Sequence, residues 1–254
     1  MLWIVIVVLI AQFLFPKIAE VLFFSDVDLT TDYGGSWENV EHALVICEFL
    51  ILGSIELLLF IFSIYIVCYR HNLSLLHIGW RWNFSREWWY HPIIIGLVYV
   101  VLYIFFGLWY TGDLDYFLQE GKLPFGWGYT GHEDSEGEYV TVWSGELLRL
   151  ISKSFFPIAE EVFFRGVSYH VFKRRFGVLG GMVISSLLFV IWHNRIYNYA
   201  KIDMYIMVLL FIIDLFIVGI IACVLYEKSK SLGPAIIFHS VVNGAQETFF
   251  SIFN

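Results

Sequence analysis

Apolar stretches of about twenty residues recur along this chain, and that length fits one environment closely. A bilayer hydrocarbon core of about 30 Å is crossed by about 20 apolar residues wound as a helix. Inside lipid the backbone must satisfy its own hydrogen bonds, and an α-helix does so within one segment. Seven stretches qualify: Leu2–Phe24, Ala43–Tyr69, Pro92–Thr111, Leu147–Phe172, Gly177–His193, Met204–Tyr226 and Leu232–Phe253. The expected fold is therefore all-α, a polytopic transmembrane helical bundle of seven spans. The first stretch is interrupted by Pro16, Lys17 and Glu20. The fourth carries Arg149, Lys153, Pro157, Glu160, Glu161 and Arg165, and a break at Pro157 would raise the count to eight. Composition agrees, with 59% hydrophobic and 15% charged residues against about 45–50% and about 25% in soluble domains. A disordered chain, a disulfide-rich secreted module and a soluble globular domain are all excluded. The net charge of −8 argues against a nucleic-acid partner. Cys47, Cys68 and Cys223 form no CxxC pair; they read as small buried thiols, not as a zinc site or disulfide framework.

Loop charge sets the orientation. Ser25–His42 holds no Lys or Arg, and Gly112–Glu146 holds only Lys122. Arg70, Arg81 and Arg86, then Lys173, Arg174 and Arg175, then Lys228 and Lys230 fall in the alternate loops. The positive-inside rule places the latter set, and with it the N-terminus, in the cytoplasm. Nothing basic precedes the first apolar run and no A-x-A pattern follows it, so it reads as a retained helix. Trp and Tyr gather near span ends, and Arg81–Tyr90 is expected as a short helix lying in the interface. Gly112–Glu146 reads as an acidic external loop with little core of its own. Residues 1–146 then form the N-terminal helices and that loop; residues 147–254 form the C-terminal core of a single membrane domain.

Ionisable side chains in a span cost several kcal/mol unless paired or facing a wet cavity. In the C-terminal half they fall into three short patterns. Glu161 and Arg165 stand four apart, so they share a helix face and can pair. Glu160 is rotated by about 100° from Glu161 and cannot share that arginine equally. One carboxylate is thus neutralised, and the other is left for chemistry or for another helix. His193 ends the next span, which opens on a small-residue stripe, Gly177, Gly181 and Ser185, suited to close helix approach. His239 and Asn243 share a face of the last span, and both can donate hydrogen bonds. At about 1.5 Å per residue, Glu160, His193 and His239 lie roughly 20, 24 and 11 Å from the cytoplasmic ends of their helices. Kinks at Pro157 or Pro234 would close part of that spread. Each pattern alone also has a structural reading: the first as a paired charge cluster locking two helices, the second as a histidine wetted at a helix end, the third as interhelical glue.

The strings Pro157–Gly166, Ser185–His193 and Leu232–Asn243 resemble the three signature motifs of the CPBP family, EExxxR, FxxxH and HxxxN. That family comprises the type II CAAX prenyl endopeptidases and the bacteriocin-processing or self-immunity membrane proteins. All three motifs occur in order on separate helices, and the resemblance covers about Phe155–Gly244. The first 140 residues add only a compatible hydropathy pattern. The resemblance implies a catalytic Glu160 that activates water together with His193. It implies an oxyanion hole from His239 and Asn243, a supporting Glu161–Arg165 pair, and no metal or other cofactor. The chemistry is coherent without a covalent nucleophile. Burial makes a carboxylate a better base, an imidazole can orient water, and two donors can stabilise an oxyanion.

Rival chemistries fit less well. A zinc protease would use Glu and His ligands, but HExxH is missing, and His132–Glu136 is a near miss in a polar loop. Aspartyl proteolysis needs two spanning aspartates, and only Asp214 lies deep in a span. A Ser/His protease finds only Gly53-Ser54, without matching context. Glu48, Glu56 and Asp214 could line an ion path, or serve as interior hydrogen-bonded glue, while Glu20 and Glu247 near span ends read as wet. The expectation is an intramembrane endopeptidase of a bacterial inner membrane. It would cleave a peptide or small membrane protein, whether a CAAX terminus, a leader or another membrane-proximal segment. A scaffold or self-immunity role without turnover is the alternative. Substrate identity and oligomeric state are not legible in the sequence.

Overall fold

The computed structural model describes residues 53–54, 56–81, 85–111, 113–120, 143–193 and 205–253. Among these, all regular structure is helical. Helix α1 covers 56–64 and widens into a π turn at Tyr65–Arg70. A 3₁₀ turn, Leu75–Ile78, follows. Then come α2 (Glu87–Thr111), α3 (Leu114–Glu120), α4 (Trp143–Glu161), a π segment (Val162–Ser168), α5 (Tyr169–Trp192), α6 (Tyr205–Ser229) and α7 (Leu232–Phe253). Three segments are long and apolar enough to cross a membrane, Glu87–Tyr110, Lys153–Trp192 and Leu209–Ser229. The expected span Leu2–Phe24 and the first part of Ala43–Tyr69 lie outside the described residues. So do Cys47, Glu48, Glu20 and the near miss His132–Glu136.

Several boundaries differ from the sequence reading. Glu87–Tyr90 is not a separate interfacial helix; it is the first turn of α2, which continues without a break through Pro92. Pro92 is the sixth residue of that helix, so its ring removes the hydrogen bond that would run to the Trp88 carbonyl. The acidic connection after α2 is helical at Leu114–Glu120, and α4 is already under way at Trp143. Helix α4 also runs through Pro157. The sharp break comes later, inside α5, at Gly177. There φ is +74° and ψ is −178°, a region that essentially only glycine occupies. The lysine–arginine loop therefore stays helical up to that residue, and the chain turns on one glycine.

By its internal contacts the chain divides into two compact units. Among the described residues the first holds Ser54–Pro92 and Pro157–Ile237. Its centre is aromatic: Phe163, Phe164, Tyr169, Phe189 and Trp192 are all buried. Phe164 meets Phe163, Phe189 and Trp192 edge to face, a geometry that places ring edges on ring faces. The small-residue stripe works as expected in part. Ser185 Oγ donates to the Phe164 carbonyl at 2.7 Å, and a Cβ on Gly181 would lie 2.9 Å from the Lys173 backbone nitrogen. Gly177 itself is the corner, not part of the packed face. Helices α5 and α6 approach closely at Gly219, where a Cβ would stand 2.8 Å from Ser186. The 3₁₀ turn is strapped to the α6–α7 corner. Tyr226 Oη donates to the Ile78 carbonyl at 3.1 Å, Leu232 N donates to Gly79 O at 2.8 Å, and Ser231 Oγ donates to Arg81 O.

The second unit holds Gly53, Ile93–Phe156 and Phe238–Asn254. Within it α2 and α7 touch at Gly96, whose Cβ would fall 2.9 Å from Val241 Cγ1, and Tyr99 meets Phe238 edge to face. Ser240 Oγ donates to the Ser154 carbonyl at 2.7 Å. The outer residues of α2, among them Ile94, Val98, Val101, Phe105 and Trp109, are exposed. A continuous apolar surface of this kind needs a non-aqueous neighbour.

Candidate active site

Glu160 and Glu161 close the last α turn of α4, immediately before the π segment. A π insertion in a helix often accompanies a functional site. Here all seven of its residues are buried. Arg165, within it, has no exposed surface, and neither does Glu161. The Arg165 guanidinium lies 3.0 Å from Glu161 Oε1 and donates to the Gly219 carbonyl at 3.2 Å. It also stands over the Phe189 ring at 4.6 Å. One side chain thus neutralises an acid, satisfies a carbonyl at the close approach of α5 and α6, and stacks on the helix that leads to His193.

Glu160 takes the other direction. Its Oε1 lies 3.6 Å from His193 Nε2. That is an ion-pair distance, longer than a hydrogen bond. His193 caps α5 and leaves helical geometry at φ −86°, ψ 53°. Its Nδ1 lies 3.0 Å from the Phe189 carbonyl, and its ring packs on the Phe189 ring with centroids 4.4 Å apart. A carbonyl only accepts, so Nδ1 carries a proton and Nε2 is the nitrogen turned to Glu160. The imidazole side chain is 24% exposed and the carboxylate 7%, so the pair is open from the histidine side.

The sequence-predicted residues are thus found as two contacts in the first unit, Glu160 with His193 and Glu161 with Arg165. His239 and Asn243 lie in the second unit, four apart on one face of α7; His239 is buried and Asn243 half-buried. Glu247 is buried, contrary to the wet setting expected for it. Another turn of α7 follows it, so it is not at a helix end. Asp214 is half-buried, Cys223 is buried and Cys68 is half-buried.

One neighbour of the site was not legible as such. Glu56, on α1, is buried, and its Oε1 accepts a hydrogen bond from Trp192 Nε1 at 3.3 Å. Trp192 is the residue before His193. The sequence marks Glu56 as an acid in an apolar run, which fits interior glue equally well; only the fold shows which indole it meets.

The comparisons bear on this site. Residues 143–245 match the family model "Rce1-like", type II CAAX prenyl endopeptidase. That segment, about two fifths of the chain, is similar to the Rce1-like family. The matched range contains all three motifs that resemble the CPBP signatures, from Glu160 to Asn243. The family is one of CAAX-type intramembrane proteases. Glu56 lies outside the matched residues. Neither a curated protein nor a solved structure gives a match.

Proposed function

We propose that this protein is an intramembrane endopeptidase that hydrolyses peptide bonds with a glutamate-activated water and without a metal. The observation that carries the reading is the approach of Glu160 Oε1 to His193 Nε2, with the imidazole tautomer held by the Phe189 carbonyl. In this reading a water beside the pair gives a proton to Glu160 while its oxygen attacks the peptide carbonyl carbon. His193 orients that water through Nε2. His239 and Asn243 take the oxyanion role that their motif resembles, worth about 10²–10³-fold for each donor in other acyl-transfer sites. The tetrahedral species collapses, the C–N bond breaks, and the proton held by Glu160 passes to the leaving amine. Glu161 and Arg165 fix the local helix and keep a second charge away from the base.

The remaining parts of the proposal follow the sequence. The chain forms a seven-span bundle in a bacterial inner membrane with its N-terminus in the cytoplasm, and residues 147–254 are its catalytic core. The substrate is a peptide or small membrane protein presented at the bilayer, of the CAAX or leader kind. Cleavage of a panel of lipid-embedded peptides by wild type, Glu160→Ala and His193→Ala tests this. Each substitution is expected to lower turnover by about 10²–10⁴-fold, the usual worth of a positioned base, with the fold intact and chelators without effect. Loss of activity on chelation, restored by zinc, would overturn the metal-free mechanism. A cellular phenotype that survives both substitutions would favour a scaffold or self-immunity protein.

A further inference from the structure

We infer that His170 is a proton-operated clamp, which closes between the buried π segment and the 3₁₀ turn when its ring carries two protons. The inference stands on hydrogen-bond geometry within the first unit and holds whether or not the protein cleaves peptides.

Three contacts run in series through this ring. His170 Nδ1 lies 3.3 Å from the Arg165 carbonyl, in the π segment. Its Nε2 lies 3.2 Å from Tyr226 Oη, on α6. Tyr226 Oη in turn lies 3.1 Å from the Ile78 carbonyl, in the 3₁₀ turn. Both ends of the series are carbonyls, which only accept, so three contacts need three protons. A neutral imidazole brings one and the phenol brings one. Whichever tautomer forms, two lone-pair atoms then face each other at one of the three positions. The imidazolium brings the missing proton. Nδ1–H donates to the Arg165 carbonyl, Nε2–H to Tyr226 Oη, and the phenol O–H to the Ile78 carbonyl.

The surroundings hold the series in place. The His170 ring meets Tyr169 and Tyr226 edge to face, with centroids 6.0 and 5.5 Å away. Tyr226 and Ile78 are buried, so a contact that fails there is not handed over to bulk water, and that loss is costly. The charged and titratable groups around the series are Tyr169, Lys173 and Arg174 on α5, Arg165 in the π segment, Glu227 on α6 and Arg81 after the turn. Arg165 is committed to Glu161. Glu227 accepts from Tyr169 Oη, Lys173 and Lys230. His77, in the turn itself, is exposed and bonds Ser74. His170 is left as the group whose proton count changes the number of contacts the strap can make.

The sign follows from linkage. The closed clamp binds the second imidazole proton better than the open one, so protonation favours closure. The strap is firmest at acid pH and slackens as pH rises through the titration of His170. Its release frees the turn from the α6–α7 corner, where Leu232 N donates to Gly79 O at 2.8 Å.

Hydrogen exchange of the full-length protein in lipid nanodiscs tests this, read on residues 75–80 and 231–236 and corrected for the intrinsic effect of pH. Between about pH 8 and about pH 5.5, either side of an ordinary imidazole, protection in wild type should rise about tenfold, the worth of one charge-assisted hydrogen bond. His170→Gln cannot take the second proton, and Tyr226→Phe has no hydroxyl to relay it. Both should stay at the weaker, high-pH level throughout. His77→Gln should keep the wild-type rise. A flat profile in wild type would overturn the clamp. So would a rise that persists in His170→Gln or Tyr226→Phe, or one that disappears in His77→Gln, since each assigns the effect to another group.

Discussion

Arg165 shows how one residue can hold a site together without touching the reacting atoms. Its guanidinium is buried with Glu161, a Gly219 carbonyl and the Phe189 face around it. Removing one partner of a buried ion pair is costly because the other charge stays behind in a medium that does not solvate it. Arg165→Met is therefore expected to destabilise the protein by about 3–5 kcal/mol, measured by chemical unfolding in detergent. The double substitution with Glu161→Leu should recover much of that loss, since a buried pair replaced by apolar residues is often neutral. If the double variant is no more stable than Arg165→Met, the pair is not the source of the cost. The Glu161–Arg165 contact was legible because four-residue spacing places both on one helix face. The direction of Glu160 was legible too, as the acid that the arginine does not neutralise. Glu56 was not, because nothing local in an apolar run tells an acid which distant helix it will meet.

At the scale of elements, the corner at Gly177 decides how the segment with the glutamates leads into the one with the histidine. Its φ of +74° with ψ of −178° belongs to glycine, and a Cβ built there would meet nothing within 4 Å. The cost of Gly177→Ala is thus backbone strain alone, about 1–3 kcal/mol, to be read as a lowered thermal midpoint. An unchanged midpoint would mean that the corner relaxes freely. Gly219→Ala would act differently, by pushing α6 off Ser186. The sequence reading located the end of the basic loop and the start of the next apolar run at this glycine, since hydropathy changes there. It also allowed an extra break at Pro157, because a mid-helix proline signals one. The structure keeps that helix intact, with a serine hydroxyl supplied to the Ser154 carbonyl nearby. Long apolar elements are written in composition; where they bend depends on which carbonyls find a second donor, and that is a property of the packed state.

For the whole molecule, charge asymmetry makes the most direct prediction. The loops assigned to the cytoplasm carry eight basic residues against three on the other side. With Cys47, Cys68 and Cys223 replaced by serine, a cysteine introduced at Arg174 should react with an impermeant maleimide only when the cytoplasmic face is opened. Labelling from the outside of intact cells would reverse the orientation. All-helical character followed from the length of the apolar stretches, and three described segments match it by length and composition. What hydropathy could not supply is the contact pattern across the chain. The strap from the 3₁₀ turn to the α6–α7 corner joins residues 148 and 150 positions apart. A ribosome adding about 5–20 residues per second leaves that turn waiting roughly 7–30 s for its partners to be made. During that interval the turn has no latch, and whatever shepherds it in the cell must hold it until the α6–α7 corner arrives.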